Sequence, residues 1–288
     1  NGKVLGNVTF CQRGEHWYIR YFAFRSFLQR GKKSKSNDKG NSILKRELST
    51  FFDKAFEGSS GRKPIQSMYA YIDPNNDRSK WMSENFGFKT VAQLSTQTFS
   101  RVSPKKSECL VEINNWGEVK PIVEQNFKTH CYYFDVHCSK PPYYGIKDEG
   151  GELLAFARFT AVQWEIVRMP GKMGGFLTKT IPFIPFLNRI IRPKNHQFLV
   201  PDIVWSKNKD AQLLNELFEG VLALKNQHLI LWWVDQQDPY YKAVQSKIKW
   251  GILHKMIGAS PVDVVQKTQS TTTNEMKTPV FVSAIDMV

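Results

Sequence analysis

The chain is poor in cysteine: among 288 residues there are four, at positions 11, 109, 131 and 138, and no two of them form a C-x-x-C pair. A chain of this length does not need disulfides to complete its core, so we expect free thiols and a cytoplasmic location. His130, Cys131, His137 and Cys138 give the spacing H-C-x5-H-C, which matches no usual zinc site. We therefore expect no metal and interpret these side chains as packing residues.

Long hydrophobic runs are also missing. The most apolar window, Gly174–Ile191, contains charged residues and is broken by Pro182 and Pro185, so we predict no transmembrane helix. The sequence begins Asn1-Gly2-Lys3-Val4, without an initiator Met or the apolar stretch of a signal peptide. We expect it to start within a longer protein.

Acidic residues are scarce in the first third of the chain. The first 105 residues contain 19 Lys and Arg against 8 Asp and Glu, whereas the remaining 183 contain 21 against 18. The resulting net charge of +14 attracts phosphate, whether on nucleic acid, on anionic lipid or on a phosphorylated cofactor. Hydrophobic residues at 41% and aromatics at 13% are ample for packed cores, which excludes disorder of the whole chain.

Residue patterning predicts an α/β order in the first hundred residues. A strand hairpin is followed by a basic loop without apolar residues, then by helix, strand, helix and strand. The predicted elements are strands Val4–Phe10 and Trp17–Phe24, the loop Gln29–Gly40, helix Asn41–Glu57, strand Ser67–Ile72, helix Asn76–Phe86 and strand Phe88–Arg101.

The polar stretch Ser103–Ser107 is a predicted linker, and it divides the chain into domains 1–105 and 106–288. The second domain repeats the element order of the first. Its predicted strands are Cys109–Ile113, Tyr143–Ile146, Leu153–Val167, Phe198–Trp205, His228–Val234, Trp250–Met256 and Val280–Met287, and its predicted helices are Val119–Phe127, Ala211–Leu224 and Pro239–Ile248.

An insertion rich in Gly, Pro and Phe, Met169–Asn195, interrupts the second domain. We interpret it first as a loop with one helical turn that covers a sheet or a domain interface. A lid over an apolar acyl substrate and a membrane-surface patch with a basic flank remain open alternatives.

The first domain resembles the GNAT superfamily of acyl-CoA-dependent N-acyltransferases over residues 3 to 101. In that family a strand ending like L-A-V-R precedes a basic loop, R-G-x-G-x-G/A, and a helix. Here Phe22-Ala23-Phe24-Arg25 ends the strand, Arg30-Gly31-Lys32 begins the loop, and Lys39-Gly40-Asn41-Ser42 resumes it after an insertion. A second family pattern, N-x-x-A-x-x-L-Y-x-x-x-G-F, is matched in register by Asn76, Ser79, Met82, Ser83, Gly87 and Phe88.

The resemblance implies an α/β (α+β) fold of two GNAT-like domains, each a mixed, mostly antiparallel sheet flanked by helices. It implies acetyl-CoA or another acyl-CoA as cofactor, with the pantetheine bound along a strand that separates from its neighbour. The free N–H groups of a helix start suit a pyrophosphate, and lysines add charge. The implied cofactor-binding residues are Ala23, Phe24, Arg25, Arg30, Gly31, Lys32, Lys33, Lys39, Gly40, Asn41, Ser42, Asn76, Ser79 and Ser83.

Two departures from the family pattern bear on catalysis. Ser83 stands where many members have a tyrosine that protonates the leaving thiolate, and a serine hydroxyl is a far weaker acid. The family's first strand and helices, which precede the hairpin, have no counterpart before Asn1. We therefore assign no catalytic residue. We expect the second domain, whose equivalent loop Ser206–Asp210 has no glycine, to bind no cofactor.

Three functions are weighed on these grounds. The first is transfer of an acyl group from CoA to a small-molecule or peptide amine. The oligomeric state is left open, and a homodimer is one alternative. The second is an inactive acyl-CoA sensor or scaffold, which the serine at position 83 favours. The third is nucleic-acid binding, which we do not expect because the lysines cluster in one loop and no nucleic-acid motif is present.

Overall fold

A computed structural model of the chain describes residues 6–24, 39–58, 63–167, 174–269 and 279–287. Contacts within the chain divide it into two compact units. Unit 1 is Asn1–Gln93 with Pro261–Lys277, and unit 2 is Leu94–Ser260 with Thr278–Val288. The domain boundary predicted between residues 105 and 106 stays a prediction.

The described residues form ten strands and eight α-helices. The strands are β1 (Gly6–Arg13), β2 (His16–Phe24), β3 (Ser67–Ile72), β4 (Lys89–Ser100), β5 (Leu110–Ile113), β6 (Tyr143–Lys147), β7 (Leu153–Trp164), β8 (His196–Ser206), β9 (Leu229–Asp235) and β10 (Ser260–Thr268). The helices are α1 (Lys39–Glu57), α2 (Asp77–Asn85), α3 (Trp116–Phe127), α4 (Asp135–Cys138), α5 (Ala211–Leu224), α6 (Pro239–Val244), α7 (Ile252–Ile257) and α8 (Ala284–Met287).

Unit 1 has a sheet in the order β1-β2-β3-β10. β1 is antiparallel to β2, β2 is parallel to β3, and β3 is antiparallel to β10. The apolar stripe of α1 explains its place against this sheet, because Phe52 and Phe56 are buried in one cluster with Met68 of β3 and Met82 of α2. Unit 1 therefore has a core of its own.

Unit 2 has a sheet in the order β4-β9-β8-β7-β6-β5. All of its neighbouring strands are antiparallel except β8 and β9, which are parallel. Helix α5 buries Leu214, Leu217 and Phe218 in one apolar cluster with strand residues, and α3 buries Val119 and Val123 in a second. A mostly antiparallel sheet with a layer of helices results.

The predicted fold class is confirmed, since mixed and mostly antiparallel strands are flanked by helices. Strand β3 and helix α5 have the predicted bounds, and the hairpin of β1 and β2 is present. Helix α1 begins two residues before its predicted start at Asn41. These elements carry strong period-2 or period-3.6 patterns, which local sequence reads well.

Two predicted strands are wrong. Trp250–Met256 contains helix α7, because Gly251 has φ of 103° and the side-chain oxygen of Ser100 accepts a hydrogen bond from the Leu253 N–H at 3.2 Å. Val280–Met287 forms an isolated bridge at Val280 and then helix α8. Strand β10 was not predicted, since Pro261 and Asp263 interrupt its apolar pattern.

The described part of the insertion, 174–195, is a chain of short turns. It has a π-helical turn at Phe176–Thr180 and 3₁₀ turns at Ile181–Phe183, Leu187–Arg189 and Pro193–Asn195. Across the described ranges, no helix combines the length and the apolar character that crossing a membrane requires.

Candidate functional site in unit 1

The parallel strands β2 and β3 pair over a short stretch and then part. Their described ladder has three pairs, from His16↔Ser67 to Tyr18↔Tyr69. Beyond it β2 remains paired with β1 up to Phe24, and β3 remains paired with β10 up to Ile72. Each strand thus keeps its outer partner beyond the last pair of the described β2–β3 ladder. The family resemblance implies a separation of this kind.

A cavity of about 120 Å³ lies where this ladder ends. Ile19 comes next on β2 after the last pair, and Ala70, Tyr71 and Ile72 follow on β3. The full lining is Ile19, Ala70, Tyr71, Ile72, Ser79, Ser83, Phe88 and Val265. Most of these side chains are apolar, so the cavity suits an uncharged group rather than an ion.

Three residues with hydroxyl groups, Tyr71, Ser79 and Ser83, contribute to the lining of this cavity. The Ser83 hydroxyl donates a hydrogen bond to the backbone oxygen of Lys80 at 2.8 Å, one turn earlier in α2. The Tyr71 ring lies 5.3 Å from the Tyr18 ring, centroid to centroid, and so it is fixed by aromatic packing. Sequence reasoning missed Tyr71, because nothing local to β3 signals that this residue contributes to a cavity lining.

The second family motif has a clear structural role in this chain. Asn76 caps α2, since its side-chain oxygen accepts a hydrogen bond from the Ser79 N–H at 3.1 Å. Gly87 has φ of 81°, a left-handed conformation suited to glycine just after a helix, and Phe88 is buried in the core. The motif therefore places α2 beside β3, and two of its serines face the cavity.

The remaining predicted cofactor residues divide into two groups. Ala23 and Phe24 end β2, where they pair with Asn7 and Gly6 of β1. Lys39, Gly40, Asn41 and Ser42 form the first turn of α1, whose leading N–H groups have no partner within the helix. Arg25, Arg30, Gly31, Lys32 and Lys33 lie outside the described residues.

Charged groups hold α2 in its middle and at its C-terminal end. The Lys80 amine lies 3.7 Å from the carboxylate of Asp263 in β10, which also accepts a hydrogen bond from Gln93. The Lys267 amine donates to the backbone oxygen of Phe86 at 2.9 Å. Burial lowers the pKa of Lys267, and the nearby Asp53 partly opposes that shift. Strand β10 thereby holds the helix that lines the cavity.

Unit 2 contains a related pair of parallel strands. β8 and β9 share a single described pair, Leu199↔Ile230, while β7 and β4 hold their outer edges. The space beyond that pair is about 30 Å³ and is bordered by Ile203, Trp233 and the segment Val280–Val282. Most of this opening is thus occupied by the chain itself.

Hydrogen bonds fix that segment in place. The Val280 N–H donates to the Asp235 carboxylate at 2.8 Å, and the Ala284 N–H donates to the Asp202 carboxylate at 3.1 Å. Asp202 is almost fully buried and also forms a bidentate pair with Arg158, at 2.8 and 2.5 Å. Burial lowers the pKa of Arg158, but the facing Asp202 outweighs it and raises that pKa.

A histidine and an aspartate meet at the same opening. The Nε2 atom of His130 lies 3.0 Å from the Asp238 carboxylate, and both side chains are about nine-tenths buried. Burial alone raises the pKa of Asp238, but hydrogen bonds from His130 and from the N–H groups of Tyr240 and Tyr241 lower it below its ordinary value. The sequence gives no signal for this pair, because its members lie far apart in the chain.

The four residues considered for zinc are spread over separate contacts. His130 binds Asp238, the backbone oxygen of Cys131 accepts from the Phe281 N–H, and Cys138 is buried. Burial raises the pKa of the Cys138 thiol, which suits a packing role. Within the described ranges no cluster of three His, Cys, Asp or Glu side chains is arranged to hold a metal.

No protein-family model matches the sequence, and no curated protein matches it either. Solved structures do show similarity. A GCN5-related N-acetyltransferase from Sphaerobacter thermophilus is 10% identical with a TM-score of 0.46, over 91% of this chain and 76% of that one. The N-myristoyltransferase of Saccharomyces cerevisiae, with bound myristoyl-CoA, is 10% identical with a TM-score of 0.46, over 90% of this chain and 64% of that one.

Proposed function

We propose that the chain is an acyl-CoA-dependent N-acyltransferase whose cofactor site is in unit 1. The observation that carries this proposal is the parting of β2 and β3 beside a largely apolar cavity. A ligand that binds like an added strand would lie beyond the last pair of the β2–β3 ladder. Pantetheine has two amides along an extended chain and fits that description.

The residues present fit an acyl-CoA. The β2 edge from Ile19 to Phe24 would hold the pantetheine, with the N–H of Ala23 or Phe24 polarising the thioester carbonyl. The apolar lining, with Ala70 and Val265, would take the acyl end. The first turn of α1, Lys39–Ser42, together with the basic residues before it, would bind the phosphates. When bound, acyl-CoA would supply the thioester whose acyl group an amine accepts.

We assign the proton-donating role to Tyr71. The Ser83 hydroxyl is engaged with a backbone oxygen of its own helix, and its intrinsic acidity is low. Tyr71 contributes to the lining of the same cavity, and a phenol is a stronger acid than a serine hydroxyl. It would protonate the thiolate that leaves when the carbon–nitrogen bond forms and the carbon–sulfur bond breaks. The proton that the amine loses would pass to solvent, from which the phenol is reprotonated.

Two measurements on the full chain test the proposal. Titration calorimetry with acetyl-CoA should show binding, and release of free thiol should accompany incubation with a panel of primary amines. Tyr71→Phe should lower the rate of thiol release by roughly 10²-fold while leaving acetyl-CoA affinity within a factor of about two. Ser79→Ala, which removes the other helix hydroxyl of the cavity, is the matched control and should retain activity.

A second candidate is an acyl-CoA-binding protein that performs no transfer. The engaged hydroxyl of Ser83 favours it, since the family's usual acid is missing there. Binding of acetyl-CoA without thiol release from any amine of the panel would support this candidate. Absence of acetyl-CoA binding would contradict both candidates.

A further inference from the structure

Large hydrophobic side chains are exposed around the insertion of unit 2. Phe183 is 85% exposed, Phe186 is 62% exposed, and Val167, just beyond the end of β7, is 90% exposed. Trp164 is 40% exposed and Phe176 is 38% exposed. Aromatic side chains exposed to this degree in one short region differ from the scattered apolar residues of an ordinary surface. We call these five residues, four aromatic ones and Val167, the aromatic patch.

Buried side chains and backbone hydrogen bonds hold the segment that carries the patch. Ile190 and Ile191 are buried at 3% and 2% exposure and anchor the segment in unit 2. The Arg189 N–H donates to the Phe186 oxygen at 3.2 Å, and the Ile166 N–H donates to the Pro193 oxygen at 2.8 Å, which joins the end of β7 to the last turn. Phe186 itself has φ of 72°, which is unfavourable for an aromatic residue. The turn keeps this ring exposed in spite of that cost.

The charge around the patch is of one sign. The stretch Ile166–Pro201 contains no Asp or Glu, and its exposed cations include Lys179, Arg189, Arg192 and Lys194. The Arg189 guanidinium lies over the Phe186 ring, 5.9 Å from its centroid. Among the ion pairs between described residues, none includes these four cations. Glu165, beside Trp164, is the one neighbouring carboxylate in sequence.

We propose that the aromatic patch and its four cations dock unit 2 onto an anionic lipid surface. Exposed aromatic rings enter the headgroup boundary, and lysines and arginines attract acidic headgroups. A lipid surface is favoured over an acidic protein because it offers apolar depth and negative charge together, without a matching groove.

The test is co-sedimentation of the full chain with phosphatidylcholine vesicles, with and without phosphatidylserine. The wild type should bind the vesicles that contain phosphatidylserine, and added salt should weaken that binding. The double variant Phe183→Ser with Phe186→Ser should bind at least about tenfold more weakly. Arg189→Glu with Lys194→Glu should do the same. Both variants change exposed side chains, and circular dichroism should confirm their fold.

Matched controls use an exposed apolar residue and an exposed cation elsewhere in unit 2. Val136→Ser and Lys106→Glu should leave vesicle binding unchanged. Failure of the wild type to bind either vesicle overturns the proposal. Binding that the charge variant loses and the phenylalanine variant keeps also overturns it, since attraction would then be electrostatic only. Concentration-dependent self-association that the phenylalanine variant abolishes, without vesicle binding, assigns the patch to a second copy of the chain instead.

Discussion

Two pairs of parallel strands, one in each unit, part in the same way and differ in what fills the opening. In unit 1, β2 and β3 separate after Tyr18↔Tyr69 and leave a cavity of about 120 Å³. In unit 2, β8 and β9 separate around Leu199↔Ile230, and the chain's own Val280–Val282 leaves about 30 Å³. Between these two openings in the described residues, the one in unit 1 is about four times larger.

Local element order accounts for the shared geometry. Unit 1 runs β1, β2, α1, β3, α2, and unit 2 contains the run β7, β8, α5, β9, α6. Each run places a helix between two parallel strands, and each outer strand is held by an antiparallel neighbour. We propose that the units are related copies, of which unit 1 binds the cofactor.

The largest effect should come from releasing the segment that fills unit 2. Asp202→Ala leaves Arg158 buried without its partner and removes the acceptor of the Ala284 N–H. We expect a loss of about 3–5 kcal/mol in the free energy of unfolding, measured with urea. Glu152→Ala removes an exposed ion pair with Lys207 and should cost no more than about 1 kcal/mol. Equal losses in the two variants would contradict the structural role given to Asp202.

Acid should weaken unit 2 through His196 at the start of β8. Burial lowers the pKa of His196 from 6.5 to about 4. Between these two pH values the unfolded chain therefore binds a proton that the folded chain does not bind. Stability is therefore lost as the pH falls from about 6.5 towards 4. The loss between pH 7 and pH 4 should be roughly 3 kcal/mol in urea unfolding. His196→Gln should remove that part of the pH dependence, and an unchanged profile would contradict this assignment.

Filling the cavity of unit 1 should weaken cofactor binding. Ala70→Leu places added carbon atoms in the space that the acyl end would occupy. The affinity for acetyl-CoA, measured by titration calorimetry, should fall at least tenfold, which is about 1.4 kcal/mol. The matched change in unit 2, Val282→Leu, borders the smaller opening and should leave the affinity unchanged. Weakening by Val282→Leu alone would assign the cofactor to unit 2.

The smallest effect concerns the cap of α2. Asn76→Ala removes the acceptor of the Ser79 N–H and should cost about 1 kcal/mol in thermal or urea unfolding. Asn75→Ala changes the exposed side chain just before the cap and should lower the free energy of unfolding by only a few tenths of that amount. If Asn76→Ala also lowers the acetyl-CoA affinity of the folded protein, then Asn76 contacts the cofactor as well as capping α2.

Much of the fold follows from local sequence. Helix α5 and strand β3 were predicted to the residue because their apolar periods are uninterrupted. Helix α7 was mistaken for a strand, since a short apolar run around Leu253 does not distinguish the two. Strand β10 was missed, and its pairing with β3 joins residues about two hundred positions apart. Such pairing depends on the whole fold and leaves no local signal.

The site was predictable only in part, because some of its residues meet only in the folded chain. Ser79 and Ser83 were placed by a motif, and both line the cavity. Tyr71 and Val265 were not, because only the folded sheet brings them to the same place. The His130 and Asp238 pair of unit 2 likewise joins distant elements.

The decisive measurement is a crystal structure of the protein with acetyl-CoA. We expect the pantetheine along the β2 edge between Ile19 and Phe24, the acyl end in the cavity beside Ala70, and Val280–Val282 in the same place in unit 2. Acetyl-CoA bound in unit 2 in place of that segment, or bound nowhere near β2 and β3, would contradict this expectation.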